Sequence, residues 1–301
     1  MPDPIQQLDS CKFDFSIKTF QRHSTQPSGC KTMCELLAMS SLQPVRLTFS
    51  LETLAAHGAA NGRYRDGWGV AFYQGHDVAL FREPTPAGDS ALIRLLESQG
   101  PESSLVISHI RRATHGEISL ANTQPFTRQV MERTHVFAHN GNLPGIEDSE
   151  TLVFDHFRPV GTTDSEYAAC ALFERMQTLW KSADTLPDID ARLSVVTRFA
   201  VELKRLGPAN FMYADGDILF VHADKRLNLA TGEIKPPGLF LLSRHCSNEH
   251  QNLEADGISV AAGFQEVVLL ASTPLSTENW QALPEGDILA EKYKIERVLG
   301  Q

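Results

Sequence analysis

Met33-Cys34-Glu35-Leu36-Leu37 is the stretch from which the fold and the chemistry of this chain can be read. A cysteine directly after a methionine becomes a chain terminus once the methionine is removed. Cys34 would then carry a thiol and a free α-amine on one residue. A thiol attacks as thiolate, and its ordinary pKa is about 8.5. An α-amine titrates at about 7.7–8.0, against about 10.4 for lysine. The terminal amine is therefore partly neutral near pH 7 and can serve as the base that a lysine cannot. A nucleophile activated by its own terminal amine is an established arrangement for attack on amides. Against this stands the usual fate of a free cysteine, which is to be one more small buried side chain.

Upstream, residues 1–32 contain Pro2, Pro4, Pro27 and Gly29 in a polar mixture without sustained periodicity. They lack the apolar core of a secretory signal. Asp3, Asp9 and Asp14 offset Lys12, Lys18, Arg22 and Lys31, unlike a mitochondrial transit peptide. The segment is either a propeptide cut before Cys34 or the product of a start assigned too early, with translation beginning at Met33. The second reading is favoured, because the chain has only 6 methionines and one of them directly precedes this cysteine. The expectation is an extension over 1–33, poorly ordered as untethered termini tend to be, and one catalytic domain over 34–301.

Composition bounds the rest. Hydrophobic residues make up 42% and charged residues 21% of the 301, an ordinary globular balance. The net charge of −10 and the lack of a basic run argue against sequence-independent nucleic-acid binding. No window approaches 18 apolar residues, so no membrane span is expected. The 5 cysteines are irregularly spaced, without Cys-x-x-Cys. Neither a disulfide framework nor a zinc ribbon is expected, and a reducing cytoplasm is the simplest compartment. His245 and His250 lack a third plausible ligand nearby, so no metal site and no cofactor are expected.

Downstream, the run from Cys34 to Met39 suits a buried strand. Leu51, Leu54 and Ala55 have helical spacing up to Gly58. Asp66-Gly67-Trp68-Gly69 leads into a strand through Tyr73, with Val78–Phe81 as its hairpin partner. Leu92, Ile93, Leu95 and Leu96 predict a short helix, and Leu105–Ile107 a buried strand. Another strand runs from Thr134 to His139 and ends at Asn140-Gly141-Asn142. Thr163 and Glu166 have capping-box spacing, opening a helix that places Ala168, Leu172, Phe173, Met176 and Trp180 on one face. A second helix carries Leu193, Val196, Phe199, Leu203 and Leu206. Residues 210–222 read as a hairpin around Asp215-Gly216, and 239–242 and 267–271 as further buried strands. Strands, two helices and strands again suit sheets with helices on their outer faces.

Taken singly, the polar clusters have ordinary explanations. Asn140-Gly141 is most often a turn, Arg111 a surface ion pair, and Asp164 part of a helix cap. His109, His115 and His139 read as core histidines. Together, the clusters follow one pattern. Met33-Cys34-Glu35-Leu36-Leu37, Asp66-Gly67-Trp68-Gly69, His109-x-Arg111-x-Ala113-Thr114-His115-Gly116, Asn122-Thr123-Gln124-Pro125-Phe126, His139-Asn140-Gly141-Asn142 and Thr163-Asp164-Ser165-Glu166 occur in this order. The chain thereby resembles the class II glutamine amidotransferases, a family of N-terminal-nucleophile hydrolases. Residues 271–286 resemble the closing segment of the short stand-alone members, which have no fused synthase domain.

The resemblance implies an α+β fold, the four-layer αββα sandwich. It implies hydrolysis of a γ-glutamyl amide, with glutamine giving glutamate and ammonia through a thioester on Cys34. Asn140 and the backbone N–H of Gly141 would form the oxyanion hole. Arg111 would hold the substrate α-carboxylate and Asp164 its α-ammonium, with Thr114 and His115 lining the pocket. Gly67 and Trp68 would form part of its wall, and the apolar residues of 142–157 could close over it and favour a small leaving group. Gln124 stands where some fused members have histidine, which weakens any interdomain signalling role there. Two alternatives remain open. One is a hydrolase of γ-glutamyl peptides or conjugates such as glutathione. The other is a non-catalytic regulatory or binding subunit with Cys34 unprocessed. An acceptor-enzyme partner is possible, and the sequence does not identify one.

Overall fold

In a computed structural model describing residues 34–47, 66–112, 116–182, 185–228, 231–246, 253–255, 258–260, 265–291 and 295–298, the run after Cys34 forms β1 (Glu35–Arg46), whose first seven residues are all buried. A continuous buried run is what a strand covered on both faces requires. The hairpin after Gly67 pairs β2 (Trp68–Gln74) with β3 (Asp77–Glu83). Helix α1 (Ala91–Gln99) and β4 (Glu102–Ile110) follow, then β5 (Phe126–Val130) and β6 (Arg133–Gly141). Helices α2 (Asp164–Gln177) and α3 (Ile189–Leu206) precede the hairpin of β7 (Ala209–Ala214) and β8 (Leu219–His222). A short pair, β9 (Arg226–Leu227) and β10 (Ile234–Lys235), leads to β11 (Phe240–Cys246), β12 (Leu253–Ala255), β13 (Ile258–Val260) and β14 (Gln265–Ala271). The last strands are β15 (Gln281–Ala282), β16 (Ile288–Glu291) and β17 (Ile295–Val298).

The first sheet has the order β15-β11-β14-β1-β4-β2-β3, with β13 also paired to β1 and β12 to β13. The second has the order β17-β16-β8-β7-β6-β5. Strand alternation sorts the apolar residues into three layers. Leu36, Ala38, Ile107, Val136, Ala138, Met212 and Leu270 pack together between the two sheets. Leu37, Met39, Trp68 and Val106 face the other way, onto Ile93 and Leu96 of α1. Phe137, Phe211 and Phe220 face α2 and α3, meeting Leu172, Phe173, Val196 and Phe199. The order helix, sheet, sheet, helix is the expected α+β four-layer sandwich. No helix among the described residues is long and apolar enough to cross a membrane.

The helix starts follow local chemistry. Ser90 Oγ accepts from Ile93 N at 3.1 Å, and Asp188 accepts from Asp190 N at 2.9 Å. Thr163 Oγ1 accepts from Glu166 N at 3.3 Å, but the expected capping box is only half made. Glu166 turns away to accept from Gly161 N at 2.7 Å and to pair with Arg128 at 2.7 Å. Leu95, one of the four apolar residues that predicted α1, is 50% exposed, whereas Ile93 and Leu96 are buried. The helix expected at Leu51–Ala55 and the extension 1–33 lie outside the described residues.

Candidate active site

The site is built where three strands end together. Cys34 stands directly before β1 and shares the parity of Leu36 and Ala38, the residues that face the second sheet. Its Sγ accepts from Arg112 N at 3.1 Å and donates to Arg112 O at 3.2 Å. Arg112 lies just past the end of β4, which pairs with β1 so that Glu35 meets Ile110. From the second sheet, the side-chain amide of Asn140 on β6 donates to Cys34 O at 2.6 Å. Asn140 is buried, and its own carbonyl accepts from Asn210 Nδ2 on β7 at 3.4 Å.

Gly141 closes β6, and the packing leaves it no side chain. A Cβ there would stand 1.9 Å from Pro208 O and 2.6 Å from His139 Nε2. Backbone atoms cannot yield as a flexible side chain can, so glycine is required for this close approach. Asp164 begins α2 and reaches back to the same strand end. Its Oδ2 accepts from Leu143 N at 2.8 Å, and its Oδ1 from Ser165 N at 2.7 Å. A carboxylate in a helix's first turn is favoured by the helix dipole. Here it also fixes the backbone leaving Gly141.

Arg111 is buried beside these groups. Its backbone N donates to Gly67 O at 2.8 Å. Its guanidinium donates to Glu117 O at 3.0 Å and Gly116 O at 3.4 Å. Arg111 and Asp164 lie close enough for their charges to act on the Cys34 thiol. Thr114 and His115 lie outside the described residues.

Electrostatics set the resting state of Cys34. Burial pushes the Cys34 thiol up to about 11, with the Glu35 charge adding to it and the Arg112 backbone bond and Arg111 opposing. Burial likewise holds His109 neutral, down to about 3, with His139 and Arg111 contributing. His139 is held below its ordinary value by burial, and its Nδ1 lies 2.9 Å from Ser165 Oγ. Both are thus core histidines, as their sequence setting suggested.

Two expectations about the pocket walls are corrected. Gly67 does lie against Arg111, but Trp68 points to the opposite face of the first sheet, into the α1 layer. Its Nε1 donates to Glu83 Oε2 at 3.1 Å. The segment 142–157 does not spend its apolar residues over the pocket. Leu143, Ile146, Leu152 and Phe157 join the core beneath α2 and α3, because the two helices there leave an apolar face that must be covered. Gln124 has a structural role, since its Oε1 accepts from His139 N at 2.6 Å and its Nε2 donates to His139 O at 3.1 Å.

Sequence reasoning missed the support behind Cys34. Glu35 is fully buried and paired with Arg226 at 2.9 Å, and Arg226 also donates to Ser272 O. Ser272 ties to Leu36 twice: Leu36 N donates to its Oγ at 2.9 Å, and its N donates to Leu36 O at 3.0 Å. One signal was available, since a charged residue inside a buried apolar strand demands a partner. Nothing in the sequence pointed to Arg226. Among the described residues no group of histidines, cysteines and carboxylates is placed to hold a metal ion.

The chain as a whole has counterparts among known proteins. Residues 33–294 match the family model of the class II glutamine amidotransferases. The chain belongs to that family. It is 34% identical over 256 residues to YafJ of Escherichia coli (strain K12), provisionally named a glutamine amidotransferase, covering 85% of this chain and 96% of YafJ. It is 26% identical over 304 residues to DUG3 of Saccharomyces cerevisiae, named with the same reserve, covering 86% and 82%. A solved Pseudomonas aeruginosa PA01 structure, assigned by prediction as a glutamine amidotransferase, superposes with a TM-score of 0.60 at 28% identity over 87% of this chain and 99% of that one. The amidotransferase of Bacillus subtilis that acts on phosphoribosylpyrophosphate shares the fold, with a TM-score of 0.51 at 15% identity, over 88% of this chain and 49% of its own. The sandwich is therefore the N-terminal-nucleophile hydrolase fold.

Proposed function

We propose that this chain hydrolyses the side-chain amide of glutamine through Cys34, once Cys34 is the first residue. The observation that carries the reading is the setting of Sγ, held by the Arg112 backbone with the Asn140 amide at 2.6 Å from the same residue's carbonyl. The Cys34 thiolate adds to the amide carbon, and the tetrahedral oxyanion is met by Asn140 Nδ2 and Gly141 N–H. Collapse breaks the C–N bond. Ammonia leaves with the proton first taken from the thiol, and a γ-glutamyl thioester remains. Water then cleaves the thioester to glutamate and restores the thiol.

A terminal amine would supply the base that this thiol lacks. A thiol pushed up to about 11 is almost wholly protonated at pH 7 and requires a base. His109, held down to about 3, is too weak a base to take that proton. The free α-amine of a terminal Cys34 sits on the residue itself and has a pKa near neutrality. Arg111 reads the substrate α-carboxylate and Asp164 the α-ammonium, with Thr114 and His115 lining the same pocket. Both carriers of the glutamyl end are blind to what lies beyond the scissile bond. The burial of Leu143, Ile146, Leu152 and Phe157 in the helical layer removes the apolar lid that would have excluded a bulky leaving group. Glutamine is preferred on the family assignment, with γ-glutamyl peptides as the competing substrates.

The test is a hydrolysis assay on protein beginning at Cys34 beside protein retaining residues 1–33, with glutamine, glutathione and other γ-glutamyl compounds. Activity on glutamine confined to the trimmed form is expected. Equal activity in the untrimmed form, verified by intact mass, would overturn the terminal-nucleophile reading. A tenfold or greater preference for glutathione would move the substrate to γ-glutamyl peptides with the Cys34 chemistry unchanged.

A further inference from the structure

β1 is not held equally along its length. Over residues 37–40 it is paired on both sides, with residues 268–271 of β14 and 105–108 of β4. Towards Cys34 the β14 side gives out. Ser272 makes the last two bonds there, its Oγ accepting from Leu36 N at 2.9 Å and its N donating to Leu36 O at 3.0 Å. At Glu35 β4 alone accompanies β1 among the described residues, with Ile110 opposite. Strand ends and chain termini are the first parts of a fold to open. If Cys34 is the first residue, both weaknesses fall on the residue that carries the thiol.

Arg226 stands where β14 leaves off. It belongs to β9, donates to Ser272 O, and its Nη2 donates to Glu35 Oε1 at 2.9 Å. One guanidinium thus grips both the end of β14 and the residue next to Cys34. All three partners are buried. Two contacts of Cys34 depend on this end of β1 staying in place. Its Sγ lies 3.1 Å from Arg112 N, and its carbonyl lies 2.6 Å from Asn140 Nδ2.

Stability does not account for a charged pair here. A buried ion pair is often no more stable than apolar residues of the same size, because desolvation offsets the attraction. Leu36 and Leu37 show that this strand accepts apolar residues. What an apolar pair lacks is direction. A planar guanidinium sets the distance and angle of the groups it bonds, whereas apolar contacts allow slip. We propose that Glu35 and Arg226 are positioning residues for Cys34. Their pair stands in for the absent neighbouring strand and holds the terminal residue against Arg112 and Asn140.

The effect on rate rests on the hydrolytic reading, whereas the effect on the strand end does not. The double variant Glu35→Leu/Arg226→Met removes both charges together and so separates positioning from stability. It is compared with the unaltered chain, each as the full chain and as the form beginning at Cys34. The melting temperature should fall by no more than about 5 °C. In the form beginning at Cys34, kcat for glutamine should drop about 10- to 100-fold, with KM within about twofold. Deuterium exchange at the Leu36 amide should quicken at least about tenfold, while Met39, flanked by paired strands on both sides, keeps its rate. Unchanged kcat in the folded double variant would overturn the proposal. So would equal quickening at Leu36 and Met39, or a double variant that no longer folds, since either makes the pair a part of global stability. Hydrolysis retained by Cys34→Ala would instead sink the Cys34 reading, and exchange at Leu36 would still decide whether the pair braces the strand end.

Discussion

Glu35 and Glu291 are almost equally buried, at 0% and 1% exposure, at opposite ends of the sandwich. Glu35, beside Cys34, has Arg226 at 2.9 Å. Glu291 has no hydrogen-bond partner among the described residues. Burial alone therefore does not say what a charge does. The paired carboxylate is a fixed part of the scaffold behind Cys34, whereas the unpaired one exchanges a proton near neutrality. One end is built for rigidity and the other retains a choice of state.

The sharpest break in that contrast comes from Cys34. Cys34→Ala should lower glutamine hydrolysis by about a thousandfold or more. The melting temperature should stay almost unchanged, because the side chain is small. Residual activity near that of the unaltered chain would remove Cys34 from the chemistry. Arg226→Met tests the paired end. It leaves Glu35 buried without its cation, and breaking a buried pair in this way costs about 3–5 kcal/mol. Urea unfolding measures it, and a change below about 1 kcal/mol would show that Glu35 does not depend on Arg226.

Asn140→Ala acts on the transition state. A loss of about 10²–10³ in kcat is expected, with KM nearly constant. A rise in KM at constant kcat would place Asn140 in ground-state binding instead. Glu291→Gln tests the other end. The folded carboxyl is raised to about 7 from 4.5, so the folded chain holds the extra proton between those values. Stability accordingly falls as pH rises from about 4.5 to about 7 and then levels off. That gap is worth about 3 kcal/mol at about 1.36 kcal/mol per pH unit. Unfolding at pH 5 and pH 8 should show this slope in the unaltered chain and its loss in Glu291→Gln. Arg111→Lys should have the smallest effect. A planar fork becomes a point charge, and about 1.5–3 kcal/mol of charge-assisted bonding corresponds to about ten- to a hundredfold in kcat/KM. An unchanged value would make Arg111 structural.

The sequence made the layers legible because buried strands and amphipathic helices repeat with different periods. It brought Cys34, Arg111, Asn140, Gly141 and Asp164 together only because motifs far apart in the chain share one family pattern. What it concealed depends on register or on distant partners. Trp68 sits in a strand buried on both faces, where a shift of one residue exchanges the pocket side for the helix side, and the apolar pattern is the same either way. Glu35 and Arg226 are 191 residues apart, and no local spacing joins them. Glu166 fits a capping box, but Arg128 and Gly161 N compete for its carboxylate. The segment 142–157 is apolar whether it covers a pocket or a helix, so composition could not choose.

Gln124 has a wider consequence than its two bonds to His139 suggest. Beyond Phe126, β5 no longer accompanies β6, and the backbone of β6 at His139 would present a free donor and acceptor to any passing strand. The Gln124 amide supplies both partners itself and so imitates one residue of a neighbouring strand. An uncovered edge invites pairing with another chain and aggregation. Here the edge is sealed beside Asn140 and Gly141, so self-association there has no template. Glutamate at 124 would keep the acceptor and lose the donor, leaving the carbonyl of His139 bare one residue from Asn140.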